Sequence, residues 1–146
     1  MYARFSTAKE LAMKTLSALI LSFALSLPAY AGDTDPLFIN LISEDGHRSA
    51  MAIGFGAKQQ SKGHPLSIFI NDKAVAIASK KNSAKYGDQQ KALLDVVAKG
   101  GAVIVCPMCM KHYGVKEDDL LSGLKVGNPD LTGAALFKDN TKTLTW

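Results

Sequence analysis

Two cysteines, Cys106 and Cys109, stand three positions apart in the segment VIVCPMCMKHYG, residues 103–114, and the 146-residue chain has no others. A thiolate is a nucleophile, a leaving group and a soft-metal ligand, so a C-x-x-C pair offers sulfur transfer, thiol–disulfide exchange or metal binding. An inert staple is the bland alternative. Closing so short a loop constrains the unfolded chain by only about 2 kcal/mol, against about 3 kcal/mol for a fifteen-residue loop, so the pair is better suited to redox or ligand work.

In sulfur transfer one thiolate takes sulfane sulfur as a persulfide and its neighbour can resolve it. Exchange of the thioredoxin type is opposed by position: such domains carry the pair near their beginning and a cis-proline well downstream, whereas the only proline after the pair is Pro129. A non-enzymatic Cu(I) site would draw on Cys106, Cys109, Met110 or Met108, and His112, a set rich in soft sulfur donors. The methionines serve equally well as core residues, and no second ligand cluster completes a zinc site. Haem attachment in its usual form is excluded, because Met110 stands where C-x-x-C-H requires histidine. Lys111 and His112 are near enough in sequence to lend a thiolate positive charge.

The elements that must position these groups alternate along the chain. Residues 37–42 (LFINLI), 66–71 (LSIFIN) and 102–106 (AVIVC) are short runs rich in β-branched and aromatic residues, read as strands buried on both faces. Helical spacing of Ala50, Ile53 and Ala57, with Met51 and Phe55, predicts a helix over 45–62 closed by Gly63. Further helices are expected over 73–81, 89–99, 116–124 and 130–138, and a last strand with alternating faces over 141–146. The pattern implies a single three-layer α/β domain, a mostly parallel sheet flanked by helices. In such sheets ligands sit at the carboxyl ends of the strands, here 43–47, 71–73 and 106–113. Ser43–His47 follows the first strand and offers an anion site at the following helix start, against the commoner reading of a turn with a capping side chain; Asn71-Asp72 reads as a helix cap, and His64 as a solvated loop residue. His47 is a supporting candidate because its strand end faces the proposed site. Gly54-Phe55-Gly56 lies inside a helix and lacks the rest of a dinucleotide fingerprint.

Residues 1–31 have the pattern of a secretory leader: a basic start, the uncharged stretch LSALILSFALSL at 16–27, and an A-x-A end at Ala29-Tyr30-Ala31. The apolar stretch breaks at Pro28, short of a membrane span. Cleavage after Ala31 would leave a domain over 32–146 in the periplasm, with no membrane attachment, and Met13 is an alternative start. The whole chain has 17 basic and 13 acidic residues. Without Arg4, Lys9, Lys14 and Glu10 it carries 14 and 12, a net charge of +2. That charge, with no basic run longer than Lys80-Lys81, argues against nucleic acid as a partner.

From 37 to 146 the sequence resembles the DsrE/DsrF-like family of small sulfur-relay proteins, which includes sulfurtransferase subunits. The resemblance rests on a strand ending in Cys106 with Gly114 eight positions later, on the opening NLISEDGHRSAMAIGFGAKQQSKGHPLSIFIND, and on the closing DLTGAALFKDNTKTLTW. It implies a parallel-sheet domain assembling into homotrimers or homohexamers, no cofactor, and a sulfur donor or acceptor protein or small sulfur compound as partner. It puts Cys106 in the place of the sulfur-accepting cysteine, with Cys109 matching a second cysteine of a C-x-x-C branch and so an alternative acceptor. Tyr113 stands where many members have arginine, so any positive charge on a persulfide must come from Lys111 or His112. The better-known members work in the cytoplasm, whereas the leader predicts export.

Overall fold

The computed structural model describes Gly32 and residues 34–146, so the leader and its cleavage point lie outside the described residues. Five strands, β1 (Leu37–Leu41), β2 (Leu66–Ile70), β3 (Ala102–Val105), β4 (Lys125–Val126) and β5 (Lys142–Thr145), form one sheet in the order β4-β3-β2-β1-β5. Every neighbouring pair is parallel. Parity along the strands decides what each face buries. Leu37, Ile39 and Leu41 of β1, Leu66, Ile68 and Ile70 of β2, and Val103 and Val105 of β3 join one hydrophobic core.

That core is covered by α1 (Gly46–Gln60) and α2 (Ser83–Ala98), which pack on the strands and on each other. Ala52, Ile53, Leu93 and Val96 supply their buried positions. The opposite face carries Phe38, Asn40, Phe69, Thr143 and Thr145 and is covered more thinly, by Thr132 and Leu136 of α4 (Pro129–Leu136). Consequently β2 alternates buried with half-buried residues, while β3 is buried along most of its length. The three-layer parallel α/β domain read from the sequence is the observed fold.

Several elements differ from the sequence reading, each for a local reason. The helix expected over 73–81 is two successive 3-10 segments, Asp72–Ala78 and Lys80–Asn82. Gln90 explains much of this: its side-chain amide donates to the carbonyls of Ile77 and Ser79, 3.1 and 2.8 Å away, and holds that segment in a bend. Helix α2 begins at Ser83, six residues before the expected start, with a kink at Tyr86 (φ −123°, ψ 21°). The kink lets the Tyr86 ring enter the core at 2% exposure. The helix expected over 116–124 is a single 3-10 turn, Glu117–Asp119, after which the chain runs into the two-residue β4. Burial of Asp119 against the Ser79 hydroxyl, with Lys81 3.8 Å away, pins this stretch in place of helical hydrogen bonds.

From β1 to β4 successive strands step in one direction across the sheet, and then β5 is laid on the far side of β1. The connection from β4 to β5 is the one that turns back, and it brings the carboxyl ends of β1 and β5 side by side. No helix among the described residues is long and apolar enough to cross a membrane.

Candidate functional site

Cys106 follows β3 directly, and its N–H bonds the carbonyl of Ile70 at 2.9 Å, so the sheet itself fixes where this residue sits. It is also the N-cap of α3 (Pro107–Tyr113), a two-turn helix with Pro107 in the first turn. Proline suits that position because its missing N–H would have no helical partner there. Gly114 closes the helix at φ 72°, a left-handed conformation in which a side chain is unfavourable. The Cys-to-Gly spacing seen in the sequence is thus the length of one short helix with its two caps.

The helix brings the sulfurs together. Cys109 Sγ lies 2.7 Å from Cys106 Sγ, and the Cys109 N–H points at the same Cys106 sulfur from 3.4 Å. Both thiols are free, Cys106 buried and Cys109 half-buried. A disulfide bond measures about 2.05 Å, so closing one needs less than an ångström of movement. Burial pushes the Cys109 thiol above its ordinary value, the contact with Cys106 pushes it the same way, and the backbone N–H of Asp72 opposes them. Cys109 therefore keeps its proton and directs it at Cys106, whose sulfur receives two donors.

Asp72, at the end of β2, ties this cysteine pair to the rest of the strand ends. Its backbone is left-handed (φ 47°), unusual for a residue with a side chain, and its carboxylate accepts a hydrogen bond from the Tyr113 hydroxyl at the end of α3. On its other side Asp72 lines an open cleft of about 640 Å³. Glu44, Asp45, Arg48, Lys73, Lys85 and Trp146 also line it, so it lies where the loop after β1 faces the end of β5. The Tyr86 hydroxyl donates to Glu44 at 2.8 Å, and with Lys85 at 3.5 Å it holds that carboxyl below its ordinary value.

The remaining sequence candidates are less central. Lys111 and His112 occupy the last turn of α3 and are exposed. The His112 ring rests edge-on against Tyr113, 4.6 Å between centroids. His47 is exposed in the first turn of α1 and is not part of the cleft wall. Of the copper set, Met110 is 5% exposed within the core while Met108 is 79% exposed, so the two thioethers point to different surroundings. Among the described residues no group of three or more His, Cys, Asp or Glu is placed to hold a metal ion.

Asp45 does cap α1, accepting from Arg48 N–H at 2.8 Å. Asn71 holds the N-cap position of the 3-10 helix that opens at Asp72, but its side chain makes no capping bond and donates across the sheet to Asn40, while the Asp72 carboxylate serves Tyr113. His64 is not merely solvated, since its Nδ1–H donates to the Asp35 carbonyl at 2.8 Å. Sequence reasoning missed Arg48, Lys73, Lys85 and Trp146 as one site. The signal was that Arg48 and Lys73 stand just after parallel strands and Trp146 ends one, whereas Lys85, in the first turn of α2, had none.

A five-stranded parallel α/β domain with a cysteine pair at the end of a central strand is a recognisable class. The DsrE/DsrF-like family profile matches residues 31–141, and the chain belongs to that family. It is 30% identical over 98 residues to the uncharacterized protein MJ0989 of Methanocaldococcus jannaschii, an alignment spanning 66% of this chain and 86% of that one. Its fold is similar to that of protein MTH1491 from Methanobacterium thermoautotrophicum, with a TM-score of 0.63 at 12% identity, covering 77% of this chain and 99% of that one. The ychN protein of E. coli is similar too, with a TM-score of 0.58 at 19% identity, covering 76% of this chain and 99% of that one. These identities speak to the fold alone. Family membership points to sulfur relay at a general level.

Proposed function

We propose that this protein accepts sulfane sulfur on Cys106 and passes it on, with Cys109 as the resolving thiol. The observation that carries the reading is the 2.7 Å approach of the two sulfurs at the end of β3, with both donors of Cys109 aimed at Cys106. The Cys106 thiolate attacks the outer sulfur of a persulfide R–S–SH, the donor's S–S bond breaks, and R–S⁻ leaves as Cys106–S–SH forms. An acceptor thiolate then removes that outer sulfur and returns Cys106 as a thiolate. Where no acceptor arrives, Cys109 gives its proton to solvent and attacks Cys106 Sγ. The pair closes as a disulfide and hydrosulfide departs: the two thiols are oxidised and the sulfane sulfur is reduced. A dithiol reductant reopens the pair.

Intact-mass measurement after exposure of the reduced protein to polysulfide tests this directly, using wild type, Cys106→Ser and Cys109→Ser. Loading by wild type, its loss in Cys106→Ser and a longer-lived adduct in Cys109→Ser are the expected results. Retention of the adduct by Cys106→Ser alone would move the acceptor role to Cys109. Thiol–disulfide exchange is the competing reading, favoured by the same short sulfur–sulfur distance. It prevails if wild type loses only two hydrogens and never gains sulfur. The proposal includes export to the periplasm and a homotrimer or homohexamer, checked by the N-terminus of the secreted protein and by light scattering.

A further inference from the structure

The cleft between the ends of β1 and β5 has an imbalance in its unused groups. All three of its side-chain carboxylates already accept hydrogen bonds from the protein. Glu44 receives the Tyr86 hydroxyl and Lys85, Asp45 the Arg48 N–H, and Asp72 the Tyr113 hydroxyl. Of its three cations only Lys85 is in an ion pair among the described residues. Arg48 and Lys73 are exposed and in none, although the charge of Lys73 does reach Glu44. The donors left over in the cleft therefore suit an anion, and a guanidinium in particular suits a carboxylate. Ile42 and Trp146 add an apolar wall, and about 640 Å³ is far more room than a small inorganic anion fills.

We infer that this cleft binds the donor of the sulfur-relay reaction, a low-molecular-weight organic persulfide carrying a carboxylate, through Arg48 and Lys73. The inference rests on the sulfur-relay reading and adds its substrate class. Three independent features converge on it. The cleft lies outside the carboxyl ends of β1 and β5, the end of the sheet at which parallel α/β domains take their ligands. Its free groups are cationic. Asp72 is shared, lining the cleft while its N–H serves Cys109. Neither cysteine lines the cleft, so a donor anchored by its carboxylate on Arg48 and Lys73 reaches the pair by extending its persulfide past Asp72. Cys106 then attacks that sulfur, and the donor's own thiolate is the leaving group, taking up a proton from solvent.

The test compares rates of sulfur loading, read by intact mass, from glutathione persulfide, from the carboxylate-free persulfide of 2-mercaptoethanol, and from thiosulfate. Wild type and an Arg48→Ala/Lys73→Ala double variant are compared, both surface changes outside the cysteine pair. The expected result is a loss of about tenfold or more in loading from glutathione persulfide, seen mainly in KM, with the carboxylate-free donor unaffected. Equal loading of glutathione persulfide by both proteins would overturn the inference while leaving the sulfur-relay reading intact. A variant that loses thiosulfate and glutathione persulfide alike would show that any sulfur anion is read and would overturn the carboxylate assignment. If wild type loads from none of the three, the sulfur-relay reading itself fails, and the donor site with it.

Discussion

The Tyr113 hydroxyl donates to the Asp72 carboxylate, joining the last turn of α3 to the end of β2 across the cysteine pair. The bond raises Tyr113 above the ordinary tyrosine value, because ionising the phenol would remove the donated proton and place two negative charges side by side. Folding thus favours the protonated phenol. The stability this contributes is fully present below the ordinary tyrosine value and is lost as pH rises through the raised one. Asp72→Asn removes the charge, and asparagine tolerates the left-handed backbone at this position. One tyrosine should then ionise at lower pH in the variant than in wild type, as followed by ultraviolet difference absorbance on alkaline titration. Superimposable titrations would mean that the bond does not persist in solution.

The same substitution has a second effect, on Cys109. Its thiol is raised first by burial, then by Cys106, and the Asp72 carboxylate adds to these while the Asp72 N–H works against them. Asp72→Asn keeps the N–H and deletes the charge. Iodoacetamide labelling of Cys109, resolved from Cys106 by peptide mass, should therefore begin at lower pH in the variant, though still on the alkaline side of an unfolded C-P-M-C peptide. Labelling of the folded protein at the peptide's pH would refute the claim that burial holds the proton on Cys109.

How far such relationships are legible in sequence differs from element to element. Residues 37–42 and 102–106 announce their strands because both faces of a central parallel strand need apolar side chains, and the cysteine pair is placed by the strand it follows. Strand β4 is only Lys125-Val126, half-exposed at the sheet edge, and two residues carry no periodicity. The 3-10 segment after β2 has the composition of a helix, and what bends it is Gln90, contributed by α2 from 11 and 13 positions downstream. The Asp72–Tyr113 bond spans 41 positions and joins two residues whose types suggest nothing about each other. The cleft is legible only as the carboxyl ends of three parallel strands, with nothing to announce Lys85 of α2. That Arg48 and Lys73 are left unpaired depends on which partners Tyr86 and Lys85 choose.

Tyr86 offers a stability test of the wall of that cleft. Its ring is buried beside the kink in α2 and its hydroxyl holds the Glu44 carboxyl below the ordinary carboxylate value. A depressed carboxylate contributes stability that is present above the ordinary value and lost as pH falls through the lowered one. Tyr86→Phe keeps the ring and deletes the donor. Urea unfolding should show a loss of about 1 kcal/mol at neutral pH. The deficit should shrink in acid, where Glu44 is protonated in both proteins. A deficit independent of pH would assign the loss to packing instead of to the hydrogen bond.

Two glycines two positions apart inside α1 should respond in opposite directions to the same substitution. Gly54 is exposed and nothing lies within 4 Å of where a Cβ would project. Gly56 is buried against the sheet, and a Cβ there would fall 2.7 Å from Ile39 Cδ1 and 3.1 Å from Leu66 Cδ1. Ile39 is wholly buried, so its tip has little room to retreat. Gly54→Ala should therefore stabilise the protein by about 0.5–1 kcal/mol, the helix preference of alanine over glycine. Gly56→Ala gains the same preference but forces the α1–sheet contact apart, and overpacking of this kind costs about 1–3 kcal/mol. Thermal unfolding of the two variants beside wild type decides the matter. Gly54→Ala should melt above wild type and Gly56→Ala below it, and a stabilising Gly56→Ala would show that α1 does not press on β1 and β2 as closely as described.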